Sequence, residues 1–155
     1  MKLVHLATRF VGSLRRGAPT NEQWALDLLS PSERALWQRM PDADRRHAVA
    51  VAWSLGDRPT EVLVAALLHD VGKIESGLGT FARVGATVAG AVRPRQRWAG
   101  RVGAYLRHDE IGARLLADAG SDALVVAWAR EHHLPRARWT VDPAIGDILK
   151  AADDD

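Results

Sequence analysis

Seven consecutive apolar residues, Val62 to Leu68, run directly into His69-Asp70, and Gly72-Lys73 follows. A run that uniform predicts a helix buried on all sides. It should stop where the polar His-Asp pair begins. Imidazole nitrogen and carboxylate oxygen, adjacent on a rigid element, are what a borderline divalent metal ion takes. Further histidines and a late aspartate lie downstream, so the chain reads as one that carries a metal site.

The rest of the chain supports an all-α fold. Strand signals are nearly absent, and alanine, leucine and arginine dominate, which favours helix. Thr20-Asn21-Glu22-Gln23 resembles a capping box, and Ser30-Pro31-Ser32-Glu33 is a stronger one, with proline at the first helical position. A helix is predicted from Pro41 to about Leu55, stopped by Gly56, and the buried helix from Thr60 to His69. Gly77 and Gly79 break the chain, and a helix follows from about Phe81 to Val92. The stretch Arg93 to Gly103 looks least regular. Helices are expected from near Asp109 to Gly120 and, capped by Ser121, to about His133. Pro135 closes that one, and Pro143 opens the last. Residues 1–155 read as one domain, with 1–40 a helical preface to a core over 41–155. Trp24, Trp37, Trp53 and Trp128 fall at helical spacing and are expected in the core. Trp98 and Trp139 fall in turns, where they could line a pocket or stack a base.

Composition narrows the setting. The 155 residues are enough for a sizeable core, and 47% apolar with 26% charged is ordinary for a globular protein. Absence of cysteine excludes disulfides and thiolate ligands and fits a reducing cytoplasm. His5, Arg9, Arg15 and Arg16 interrupt any signal-peptide core, and no apolar run approaches a membrane span. A net charge of +2 gives no strong nucleic-acid signal, although the pI is about 9.5. Arg93, Arg95, Arg97, Arg101 and Arg107 cluster in one stretch. They form either a solvated face or an electropositive rim that draws in a phosphorylated substrate.

Of six histidines, His5 is given no role. His47 lies on a strongly apolar helix. His69-Asp70 ends the next one, His108 precedes the helix from Asp109, and His132-His133 ends the helix after that. Asp153 comes at the end of the last. Each has a plainer reading. His47 alone would be a core or boundary histidine, and His108 a helix N-terminal cap. His132-His133 would set cationic rings against a helix dipole, and Asp153 would belong to the acidic end Asp153-Asp154-Asp155. All four plain readings must hold at once for the metal reading to fail.

The succession His47, His69-Asp70, His108, His132-His133 and Asp153 resembles the HD superfamily of metal-dependent enzymes over about residues 41–155. Leu-Leu-His-Asp-Val-Gly-Lys at 67–73 is similar to that family's HDxGK core. His108-Asp109-Glu110-Ile111-Gly112-Ala113 is similar to the second-metal histidine segment of its two-metal branch. The resemblance implies a helical bundle around a central site for two divalent transition-metal ions. His47, His69, Asp70 and Asp153 would hold the first. Asp70 would bridge to the second, completed by His108 and His132. His133 would be a further ligand or a partner behind one. So many imidazoles favour manganese, iron, cobalt or zinc over magnesium. The catalytic residues expected are Asp70 and Lys73; the lysine, one turn beyond Asp70, could neutralise phosphate charge or steady a leaving group. A surface lysine at a helix end is the plainer alternative.

Departures refine the expectation. The cyclic-di-GMP phosphodiesterase branch carries Gly-Tyr-Pro after its His pair, where this chain has Leu134-Pro135-Arg136-Ala137-Arg138-Trp139. Its three-metal members use a glutamate at the position of Ala43. The short interval from His132 to Asp153 looks closer to compact bacterial HD hydrolases, including those that split diadenosine tetraphosphate. The expected function is hydrolysis of a nucleotide or other small phosphate ester by a metal-activated water. Arg136 and Arg138 either touch that phosphate or form a solvated basic turn. A diiron oxygenase of the same superfamily, such as inositol oxygenase, and a non-catalytic nucleotide-binding module are the competing readings.

Overall fold

The computed structural model describes residues 17–77 and 99–154. His5, Gly79, the helix expected over 81–92, Arg93, Arg95, Arg97 and Trp98 lie outside them. Among the described residues the chain is helical throughout, with no strand. The α-helices are α1 (Glu22–Leu28), α2 (Pro31–Arg39), α3 (Asp42–Ser54), α4 (Thr60–Leu68), α5 (Gly100–Leu106), α6 (His108–Asp118), α7 (Ala123–Glu131) and α8 (Pro143–Asp154). Short 3-10 helices cover Val71–Glu75 and Arg136–Arg138.

α4 is the axis of the fold. Every residue from Val62 to Leu68 is buried, because α3 and α7 flank it and α1 and α8 also pack on it. Helices α1 and α2 share this core through Ala25, Leu29, Leu36 and Trp37. Trp37, Trp128, Leu67, Leu68, Leu116 and Leu149 are among its largest fully buried side chains. Burial of one such leucine stabilises the fold by about 2 kcal/mol relative to exposure.

Local chemistry sets several helix ends. Ser30 and Glu33 form the full capping box: Glu33 N–H donates to Ser30 Oγ (3.3 Å) and Ser30 N–H to Glu33 Oε2 (2.9 Å). Gly56 (φ 68°) and Gly120 (φ 75°) take the left-handed conformation that ends α3 and α6.

Several expectations are corrected. No box forms at Thr20–Gln23. Asn21 caps α1 with a left-handed backbone and no side-chain bond, while Gln23 turns outward to donate to Asp27. Asp122, not Ser121, caps α7, its carboxylate accepting from Leu124 N–H. Gly100 to Gly103 is helical, with Gly103 buried, because packing overrides glycine's weak propensity. Trp53 is 54% exposed and stacks edge-on with Trp24 at the surface. Trp139 packs edge-on against Trp128, with ring centroids 5.4 Å apart.

Candidate metal centre

Helix ends deliver most of the candidate ligands to one place. His69 caps the C-terminus of α4, and Asp70 turns the chain into the first 3-10 helix, on which Lys73 sits. His108 opens α6, and His132 caps α7, with His133 next in line. Asp153 lies in the last turn of α8. His47 alone comes from mid-helix, in α3.

Two glycines allow the closest approach. A Cβ on Gly72 would overlap the carbonyl oxygen of His108 and come within 2.5 Å of Gly112 N. Gly112 faces back across the same contact. Backbone therefore lies on backbone between the 3-10 helix and the first turns of α6. That brings His108 Nε2 to 3.2 Å from Asp70 Oδ1.

All seven residues expected as ligands converge. Asp70, His108, His132 and His133 form one group, and His47, His69 and Asp153 another. Within each, the ligand atoms lie within 4.8 Å of one another. Asp70 faces both groups. Its Oδ1 is 3.2 Å from His108 Nε2 and 3.7 Å from His132 Nε2, while its Oδ2 is 3.5 Å from His69 Nε2. His69 Nε2 is also 3.5 Å from Asp153 Oδ1, which lies 3.0 Å from His47 Nε2. His133 Nε2 and His108 Nε2 are 3.2 Å apart.

Three of the rings have their hydrogen assigned by what lies behind them. His69 Nδ1 is 2.8 Å from Ala66 O, His108 Nδ1 is 2.7 Å from Tyr105 O, and His132 Nδ1 is 3.1 Å from Ala129 O. A carbonyl only accepts, so each Nδ1 carries the hydrogen. In the neutral rings every Nε2 then presents a lone pair toward carboxylate oxygens. Lone pairs facing a carboxylate repel unless a cation lies between them. Consistent with this, Asp70 Oδ1 and His132 Nε2 are fully buried with no hydrogen-bond partner among the described residues. Carbonyl-oriented imidazoles of this kind are typical of metal-ligating histidine. The donor set fits a divalent transition-metal ion.

Electrostatics point the same way. Burial opposes charge on Asp70, but Lys73 and His69 outweigh it and hold the carboxyl well below its usual range. Asp153 is likewise held well below, its burial outweighed by His47 and His69. Burial lowers the pKa of His132 and of His133, the latter also disfavoured by the His132 and His108 rings. His69 is the exception: burial opposes its charge, but Asp70 and Asp153 raise its pKa. Asp70 and Asp153 thus form a negative core, and burial disfavours charge on the His132 and His133 rings beside it.

Lys73 Nζ is bonded to Asp70 Oδ2 and its side chain is only 13% exposed, so it is not a plain surface lysine. Arg136, by contrast, is engaged in a two-bond pair with Asp147 at the surface (2.7 and 2.8 Å). Arg138 is exposed on the same turn, and Arg101 donates to Ser76 O. Two residues around the centre escaped sequence reasoning. Glu131 is a buried carboxylate beside the His pair, and the carbonyl of Tyr105 orients His108. A buried carboxylate in an amphipathic helix leaves no mark on the apolar pattern.

The model of the HD domain family matches residues 46–154, more than two thirds of the chain. The chain belongs to the HD domain family. No curated protein and no solved structure matches it. The family match starts one residue before His47 and ends one residue after Asp153, so it spans every residue of the HD domain's converging cluster. Among the described residues no helix is long and apolar enough to cross a membrane.

Proposed function

We propose that this HD domain is a cytoplasmic phosphohydrolase that hydrolyses a nucleotide or another small phosphate ester at a two-metal centre. The observation that carries the reading is the division of Asp70, with one oxygen turned to each imidazole group. His47, His69, Asp70 and Asp153 would hold the first ion; Asp70, His108, His132 and His133 would hold the second. Bound manganese, iron, cobalt or zinc would supply Lewis acidity toward a phosphoryl oxygen and a water activated near neutral pH. Asp70 keeps its charge throughout, because Lys73 and His69 hold its carboxyl well below the usual range. Lys73 reaches the centre from the side of Asp70 Oδ2, where its ammonium would offset negative charge on a phosphate. Tyr105 stacks on the His108 ring (5.8 Å, 29°) and steadies it.

Elemental analysis of protein purified without chelator tests the centre, beside a variant carrying both His69→Ala and Asp70→Ala. About two equivalents of transition metal, lost in the variant, together with turnover on a phosphomonoester and phosphodiester panel, is the expected result. Metal without hydrolysis of any phosphate ester overturns the reaction assignment. Iron alone, with an oxygen-dependent spectrum, would establish the oxygenase instead.

A further inference from the structure

The turn that presents His132 and His133 is held by residues outside the ligand set. It is closed by Leu134 N–H donating to Glu131 O at 2.7 Å. The indole N–H of Trp139 then reaches both ends of the same turn, 3.1 Å from Glu131 O and 3.1 Å from Leu134 O. The Glu131 carbonyl is one that the C-terminus of α7 leaves without an intrahelical partner. Glu131 answers in the opposite direction. Its buried carboxylate accepts from Thr140 N–H (2.6 Å), Thr140 Oγ1 (2.6 Å) and Val141 N–H (3.3 Å). The indole ring is fixed by α7 and α8 together. It packs on Trp128, and a Cβ on Gly146 would come within 2.6 Å of Trp139 Cε3.

We infer that Trp139 and Glu131 are positioning residues for the second metal half-site, a reciprocal clasp that fixes the angle at which His132 and His133 meet Asp70. The inference rests on the metal-centre reading above. Neither residue belongs to the two groups of candidate ligands. Trp139 acts through the backbone on either side of the two histidines, and Glu131 keeps Trp139 in place by holding residues 140 and 141.

Titration of the metal-free full-length protein with Co²⁺, followed by visible absorption and calorimetry well below the unfolding temperature, tests it. Wild type should take up about two equivalents. Trp139→Phe keeps an aromatic ring but removes the indole N–H donor together with part of the ring's bulk. It should weaken the second equivalent by about tenfold or more, the usual cost of losing a group that orients a metal ligand, and leave the first unchanged. Glu131→Gln can still accept from residues 140 and 141 and should bind as wild type does, whereas Glu131→Ala should match Trp139→Phe. Unchanged Co²⁺ affinity with only a lower Tm, or equal weakening of both equivalents, overturns the clasp as a positioning device. Failure of wild type to bind Co²⁺ overturns the metal reading itself.

Discussion

Asp70 illustrates how one side chain can be placed between competing cations. Lys73 occupies its Oδ2 and imidazole nitrogens surround its Oδ1. The lysine therefore balances the buried carboxylate when no metal does so. Lys73→Met removes that balance and should destabilise the metal-free protein by about 3 kcal/mol, the scale of breaking a buried ion pair. The same change frees Oδ2, so added Co²⁺ should narrow the gap between variant and wild type. Denaturant unfolding with and without Co²⁺ measures both effects. A gap that metal leaves unchanged would mean that Lys73 and the ion do not share Asp70. At this scale the sequence was informative about identity but not about arrangement. His47, His69, Asp70, His108, His132, His133 and Asp153 were legible because scarce residue types fell at helix ends in a family's order. The orientation of each ring was not, since it depends on the carbonyls of Ala66, Tyr105 and Ala129, and every residue has a carbonyl.

Among the elements, the contact between the 3-10 helix and α6 decides whether the two ligand-bearing segments can meet. Gly72→Ala drives a methyl group into His108 O and the backbone of Gly112, neither of which can swing aside as a side-chain tip would. It should cost about 3 kcal/mol, at the upper end for overpacking. It should also lower metal affinity, since His108 must retreat from Asp70. Equilibrium unfolding and Co²⁺ titration check the two parts, and wild-type metal affinity in a folded Gly72→Ala protein would refute the second. The element boundaries were legible where side chains signal them, as at Ser30-Pro31-Ser32-Glu33 and the apolar run of α4. They were misread where the backbone or packing decides, as at Asn21, with its left-handed φ of 64°, and at Gly103, buried within a helix. Trp53 shows the limit of periodicity: helical spacing put it on an apolar face, but only the edge-on contact with Trp24 is seen there among the described residues, and it stays half in solvent.

For the whole molecule, a metal bound at these nitrogens would compete with protons for them. In metal-free protein the raised pKa of His69 adds stability that is full below the unfolded value of about 6.5 and lost as pH rises through the folded value. Metal requires that nitrogen without its proton. Stabilisation by metal should therefore be small in acid and grow as pH rises from about 5 to 8. At a free metal concentration 100 times Kd it would reach about 2.7 kcal/mol. Melting curves with and without Co²⁺ should converge at the acid end and separate toward neutrality; curves that stay parallel would show that His69 does not bind the ion.

The order of these residues along the chain also has a consequence for synthesis. His47 and Asp153 lie 106 positions apart and meet at 3.0 Å, whereas Asp70, His108, His132 and His133 fall within the interval from 70 to 133. On a ribosome, the second group is fully translated before Asp153 exists. A nascent polypeptide ending before that aspartate cannot close the first group at all. Closure of the first group would therefore wait for Asp153, the last of the seven residues to be translated, while the walls of the second group are already in place.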